Sequence, residues 1–165
     1  MNKLFIGREK EQRQLKEYLS SDQSEFIAVY GRRRVGKTFL IQQVIGNNYA
    51  FYVAGMNNVS MRIQLKNFMQ GMRKNGEDIH TADTWLDAFI ALEDYLDSLP
   101  EGNKIVFIDE MPWMDTPRSN FISGLEHFWN SWASWRDDIK LIVCGSATSW
   151  ILNNLIKNRG GLHNR

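Results

Sequence analysis

Eight consecutive residues, Gly31-Arg32-Arg33-Arg34-Val35-Gly36-Lys37-Thr38, satisfy every fixed position of the pattern G-x-x-x-x-G-K-[ST]. That spacing suits anion binding. Gly31 and Gly36 let the backbone turn tightly and approach an anion with no Cβ in the way. Successive N–H groups then point inward, at the positive end of the helix that follows. Lys37 supplies a mobile charge for the β- and γ-phosphates of a nucleotide. Thr38 supplies a hydroxyl for Mg²⁺, a hard cation that prefers oxygen. Arg34, Val35 and Phe39 are counted with the loop as nucleotide-contacting positions. Arg32, Arg33 and Arg34 fill free positions, where a solvated basic turn accounts for at least two of them.

A second group lies at Asp109-Glu110, directly after the apolar run Ile105-Val106-Phe107-Ile108. A carboxylate at the end of a second buried strand is what a phosphate loop needs to hold Mg²⁺, so Asp109 joins Thr38 as a metal candidate. Magnesium binding alone does not require an acid beside that Asp. Glu110 therefore reads as the group that takes a proton from an attacking water. This favours hydrolysis over simple phosphoryl transfer. Ser146, at the end of a later apolar run, either hydrogen-bonds the γ-phosphate and positions water or is a turn hydroxyl after Gly145. Thr148 is the reserve.

These groups need elements to position them. Phe26–Tyr30 is a short apolar run that predicts a buried strand into the loop, and Phe39–Ile45 suits a packed helix out of it. A helix is expected over Glu9–Leu19, with Leu15, Tyr18 and Leu19 facing inward. Tyr49–Ala54 reads as a strand, and Ser60 caps a helix over Met61–Met72. Trp85, Phe89, Leu92, Leu96 and Leu99 recur at helical spacing. Met111–Asp115 reads as a loop. Thr116 and Pro117 predict the start of a helix running to about Trp135. Ile139–Gly145 reads as a fourth strand, and a last helix is expected from about Trp150 to Asn158. Strands alternate with helices throughout, which predicts an α/β fold with a parallel sheet.

The 165 residues suffice for one domain with a proper core. Twenty basic residues against 19 acidic give no global field for nucleic acid, so any DNA contact must be local. The single cysteine, Cys144, allows no internal disulfide and fits a reducing, cytoplasmic setting. The start is charged too soon for a secretion signal, and no apolar run approaches the roughly twenty residues of a membrane span. Asn103-Lys104-Ile105-Val106 fails the guanine-reading pattern at its last position. Of the six tryptophans, Trp129 and Trp132 suit packing, and Trp113, beside Asp109-Glu110, is the one placed near chemistry.

Phe5-Ile6-Gly7-Arg8 with Glu11 and Leu15, Gly31–Thr38, Phe107–Glu110 and Val143–Ser146 together resemble the prokaryotic "archaeal-type" ATPases of the AAA+/STAND neighbourhood, relatives of origin-recognition ATPases. The resemblance covers nearly the whole chain. It implies a P-loop NTPase sheet of the αβα type with strands in the order fifth, first, fourth, third, second. It implies that Gly7 and Arg8 lie over the adenine, that Ser146 is the sensor, and that Arg165 acts on a neighbouring subunit's nucleotide. The family more often has Pro and Gly where this chain has Gly161 and Asn164, and Arg159 is the alternative arginine. Four strands are accounted for. The expectation is therefore a single partial domain over 1–165, truncated before the fifth strand, lid and C-terminal domain, with its first strand left as an open edge. The expected function is Mg²⁺-dependent ATP hydrolysis coupled to a conformational or assembly process. Lys37, Glu110, Ser146 and Arg165 are its catalytic candidates. The alternative is a nucleotide-dependent switch or scaffold, DNA-associated, with little hydrolysis. A homo-oligomer and a DNA or protein partner are the associations the resemblance allows, with no membrane contact.

Overall fold

The structure is a computed structural model, and it describes residues 9–31, 36–72 and 81–156. Four parallel strands, β1 (Glu25–Tyr30), β2 (Phe51–Ala54), β3 (Lys104–Asp109) and β4 (Ile139–Gly145), form one sheet in the order β1-β4-β3-β2. This is the expected order, with β1 as an edge among the described residues. Among the described residues six helices of the α type flank it: α1 (Glu9–Leu19), α2 (Lys37–Ile45), α3 (Met61–Gln70), α4 (Trp85–Asp97), α5 (Phe121–Ser131) and the short α6 (Thr148–Ile151).

The two-residue period of the strands divides the core. Phe26, Val53, Val106, Ile108, Leu141 and Val143 face one way, against α3, α4 and α5. Ile27, Phe107, Ile142 and Cys144 face the other way, against Leu15 of α1 and Ile41 and Ile45 of α2. The central strand β4 is buried at all seven positions, as a parallel strand covered on both faces should be. The larger core is aromatic. Trp85 meets Phe68 and Phe121 edge to face, with ring centroids 5.4 and 4.8 Å apart. Buried lysines close the far end of the sheet. Lys140 donates to the carbonyls of Ser21 and Gln23, tying the α1–β1 turn to β4. Lys104 pairs with Asp138 at 3.0 Å.

Ser60 and Thr84 cap α3 and α4 by accepting from Ile63 N and Asp87 N. Three expectations need correction. First, the helix expected from Thr116 and Pro117 begins at Phe121. Ser119 N bonds the Thr116 carbonyl, closing a turn. Arg118 and Asn120 take φ of 59° and 57°, which α-helix excludes. The Thr116 hydroxyl is buried and caps nothing. Second, that helix stops at Ser131, and Ala133–Trp135 is a separate 3₁₀ turn that leaves Trp135 84% exposed. Third, Met111–Met114 is a 3₁₀ turn and not an irregular loop, and α6 passes into a π-helical turn, Leu152–Ile156.

Candidate nucleotide site

Parallel pairing brings the carboxyl ends of the strands level. Tyr30 of β1 is in register with Gly145 of β4, and Ile108 of β3 with Val143. The residues just beyond these ends therefore share one rim, where open α/β sheets bind ligands. The rim holds Gly31 and Gly36–Thr38 after β1, Asp109 and Glu110 at β3, and Ser146 after β4.

Gly36 has φ 77° and immediately precedes α2, so the turn into that helix needs a residue tolerant of the left-handed region. Its conformation presents Lys37 and Thr38 in the first turn. Lys37 is buried, and its Nζ donates to the Gly31 carbonyl at 3.1 Å, across the loop. The Thr38 hydroxyl donates to Asp109 Oδ2 at 2.8 Å. The sequence separates these two residues by 71 positions, and the fold brings them into contact. Asp109 Oδ1 accepts from Glu110 N at 2.8 Å, which fixes the carboxylate plane.

The fit to a magnesium ion can be tested on these atoms. Both donors are hard oxygens, one of them anionic. Adjacent oxygens of an octahedron with bonds of about 2.0–2.1 Å lie about 2.9 Å apart. The observed 2.8 Å between Thr38 Oγ1 and Asp109 Oδ2 matches. The donor pair fits the ion.

Residues 5–165 match the model of a family described as an ATPase domain predominantly from Archaea. The chain belongs to this ATPase family. It is 30% identical, over 168 aligned positions and 98% of its length, to the uncharacterized protein MJECL04 of Methanocaldococcus jannaschii, of which it covers 34%. Two solved structures share the fold. One is the Walker-type ATPase PABY2304 of Pyrococcus abyssi, with a TM-score of 0.62 at 18% identity, covering 93% of this chain and 49% of that one. The other is the Aeropyrum pernix ORC2 protein in ADPNP–ADP complexes, with a TM-score of 0.63 at 19% identity, covering 95% and 46%. The chain thus spans about a third to a half of the length of these relatives.

The remaining expected positions of this ATPase-like domain divide in two. Ser146 is half-buried just past β4, and its carbonyl accepts from Thr148 N at 3.0 Å, so it lies on the rim in a tight turn into α6. Phe39 is exposed on α2. Gly7, Arg8, Arg34, Val35, Arg159 and Arg165 lie outside the described residues.

The rim has a second layer that the sequence hid. Glu110 adopts φ 49°, ψ 40°, an uncommon conformation for a residue with a side chain. Three contacts hold it there. Gly55, after β2, packs so closely that a Cβ would lie 2.3 Å from the Glu110 carbonyl oxygen. That carbonyl accepts from Trp113 N at 3.2 Å. The Trp113 indole Nε1 donates to Glu110 Oε2 at 2.9 Å. Gln64, 1% exposed, in turn donates to the Trp113 carbonyl at 3.0 Å and clasps both backbone groups of Met56. The one available sequence signal for Gln64 is its spacing: it precedes buried Phe68 by one helical turn, on the inner face of α3.

Charge on Asp109 is felt by its neighbours. Burial pushes the Cys144 thiol far above its ordinary range, and the adjacent Asp109 carboxylate raises it further. The Tyr52 hydroxyl is raised by burial first and by Asp109 second. Cys144 is therefore a packed thiol and not a nucleophile.

Proposed function

We propose that this domain binds ATP with Mg²⁺ and hydrolyses it. The observation that carries the reading is the Thr38–Asp109 contact beside a buried Lys37 spanning the loop mouth. An ammonium and a hard-oxygen pair at the start of α2 support phosphate binding at the positive end of that helix. Thr38 and Asp109 would hold Mg²⁺, which when bound neutralises charge on the phosphate oxygens. Lys37 would leave the Gly31 carbonyl for a phosphate oxygen. Glu110 would accept the proton of the attacking water, and Ser146 would orient that water or the terminal phosphate. The ADPNP–ADP complexes named for the Aeropyrum ORC2 protein support nucleotide as the ligand class. A soluble, cytoplasmic domain that assembles with copies of itself or with DNA is the setting proposed for it.

The test is a titration with fluorescent ATP and GTP, with and without Mg²⁺, on the wild type and two variants. Lys37→Ala should abolish binding. Glu110→Gln should bind ATP normally and lose turnover by a factor of about 100 or more, the scale of general-base catalysis. Equal turnover in Glu110→Gln and wild type would sink the assignment of the base.

A further inference from the structure

Glu110 is held through its backbone and its side chain at once. Its N–H is used by Asp109 Oδ1, its carbonyl by Trp113 N, and its carboxylate by the Trp113 indole. A glutamate side chain left to itself samples many rotamers, and a base that must meet one water loses efficiency with each wrong one. Here a rigid, half-buried ring engages one carboxylate oxygen, Oε2, at 2.9 Å.

We infer that Trp113 is a positioning residue for Glu110, and that Gln64 braces Trp113 against the β2–α3 connection. The inference rests on the reading of Glu110 as the base. Trp113 acts through its Nε1–H, a donor with no acceptor capacity, which fixes the direction in which Oε2 points. Engaging Oε2 leaves the other oxygen to receive a proton. Gln64 contributes by fixing where the ring starts. Its amide reaches the Trp113 carbonyl from α3 while both its polar atoms hold Met56. The orientation of the base is thereby set jointly by β3, which carries it, and by the segment that follows β2.

Two measurements test this. The first is the ¹⁵N–¹H spectrum of the tryptophan indoles of the whole 165-residue chain, with the Trp113 peak assigned by its loss in Trp113→Phe. Glu110→Ala should shift that peak toward the position of a free indole and leave the Trp135 and Trp150 peaks in place, since these donate to Asn130 and Asp115. An unmoved Trp113 peak overturns the inference whatever the catalytic rate. The second is steady-state ATP hydrolysis. Trp113→Phe keeps a ring and loses the donor. Its kcat should fall about tenfold or more, the scale of a hydrogen bond to a charged group, with KM changed less than about twofold. In a Glu110→Gln background the same substitution should cost nothing further, because Trp113 acts only through that carboxylate. An undiminished kcat in Trp113→Phe, or full additivity with Glu110→Gln, overturns positioning while leaving the base assignment standing. Normal turnover in Glu110→Gln alone overturns the base assignment itself.

Discussion

Glu93 lies on α4, away from the nucleotide rim, and its Oε2 is buried with no hydrogen-bond partner among the described residues. Burial first, then the charges of Asp94 and Asp97, raise its carboxyl from an ordinary 4.5 to about 7. His127 Nδ1 lies 3.8 Å from this oxygen on an exposed ring, too far for a hydrogen bond. Between pH 4.5 and 7 the folded chain keeps a proton that the unfolded chain has lost. Stability therefore falls as pH rises through this window, and the full cost of the buried charge stands above pH 7. A displacement from 4.5 to about 7 corresponds to about 3 kcal/mol. Glu93→Gln removes the charge, so its stability should lack this fall across the window. At pH 8 it should exceed wild type by about 2–3 kcal/mol, or about 5–10 °C in Tm for a domain of this size. At pH 4.5 the two should nearly coincide. Urea unfolding at pH 4.5, 6, 7 and 8 measures both curves. Parallel curves for wild type and Glu93→Gln would refute the reasoning, because they would place the carboxyl in ordinary solvent.

At the opposite end of the sheet the sign is reversed. Hydrogen bonds from Arg136, followed by Lys104, hold the Asp138 carboxyl at about 2 against an ordinary 3.8. That stability is present above pH 3.8 and lost as pH falls toward 2. Asp138→Asn should lower stability at neutral pH by about 2 kcal/mol and flatten the acid limb of a fluorescence-monitored titration. Gly55→Ala introduces a Cβ 2.3 Å from the Glu110 carbonyl oxygen. It should lower Tm by an amount worth about 1–3 kcal/mol, the scale of overpacking. An unchanged melt would show that the β2 end does not brace the β3 turn.

The fold was legible where one physical constraint dominated. The continuous apolar runs of β1, β3 and β4 announced a sheet covered on both faces. Thr38 and Asp109 could be paired from sequence because a phosphate loop needs a distant carboxylate, and the fold brings them to 2.8 Å. The start of α5 was not legible. Thr116 and Pro117 have the right local chemistry for a cap and first turn, but a turn closed by Ser119 N and two left-handed residues wins. Gln64 was hidden for another reason. Its value comes from backbone groups of residues 56 and 113, neither identifiable from the helix in which it sits.

The seven residues from Asp109 to Asp115 show how a short segment can link several parts of one rim. Asp109 meets Thr38 of α2, and Gly55 N donates to its carbonyl from the end of β2. Pro112 packs on Gly145, where a Cβ would lie 2.6 Å from its Cδ, so the 3₁₀ turn rests on the end of β4. Asp115 Oδ2 accepts from the Trp150 indole of α6 at 2.8 Å. Each contact leads to a different strand end or helix start. None is a surface ion pair whose strength would vanish with salt; they are short hydrogen bonds and close packing at partly buried positions. A shift at the end of β2, at the start of α2 or at α6 must therefore be accommodated by the turn that carries Glu110. That geometry explains why Glu110 tolerates a left-handed backbone: surrounding contacts over-determine it, which is the condition under which such a conformation persists.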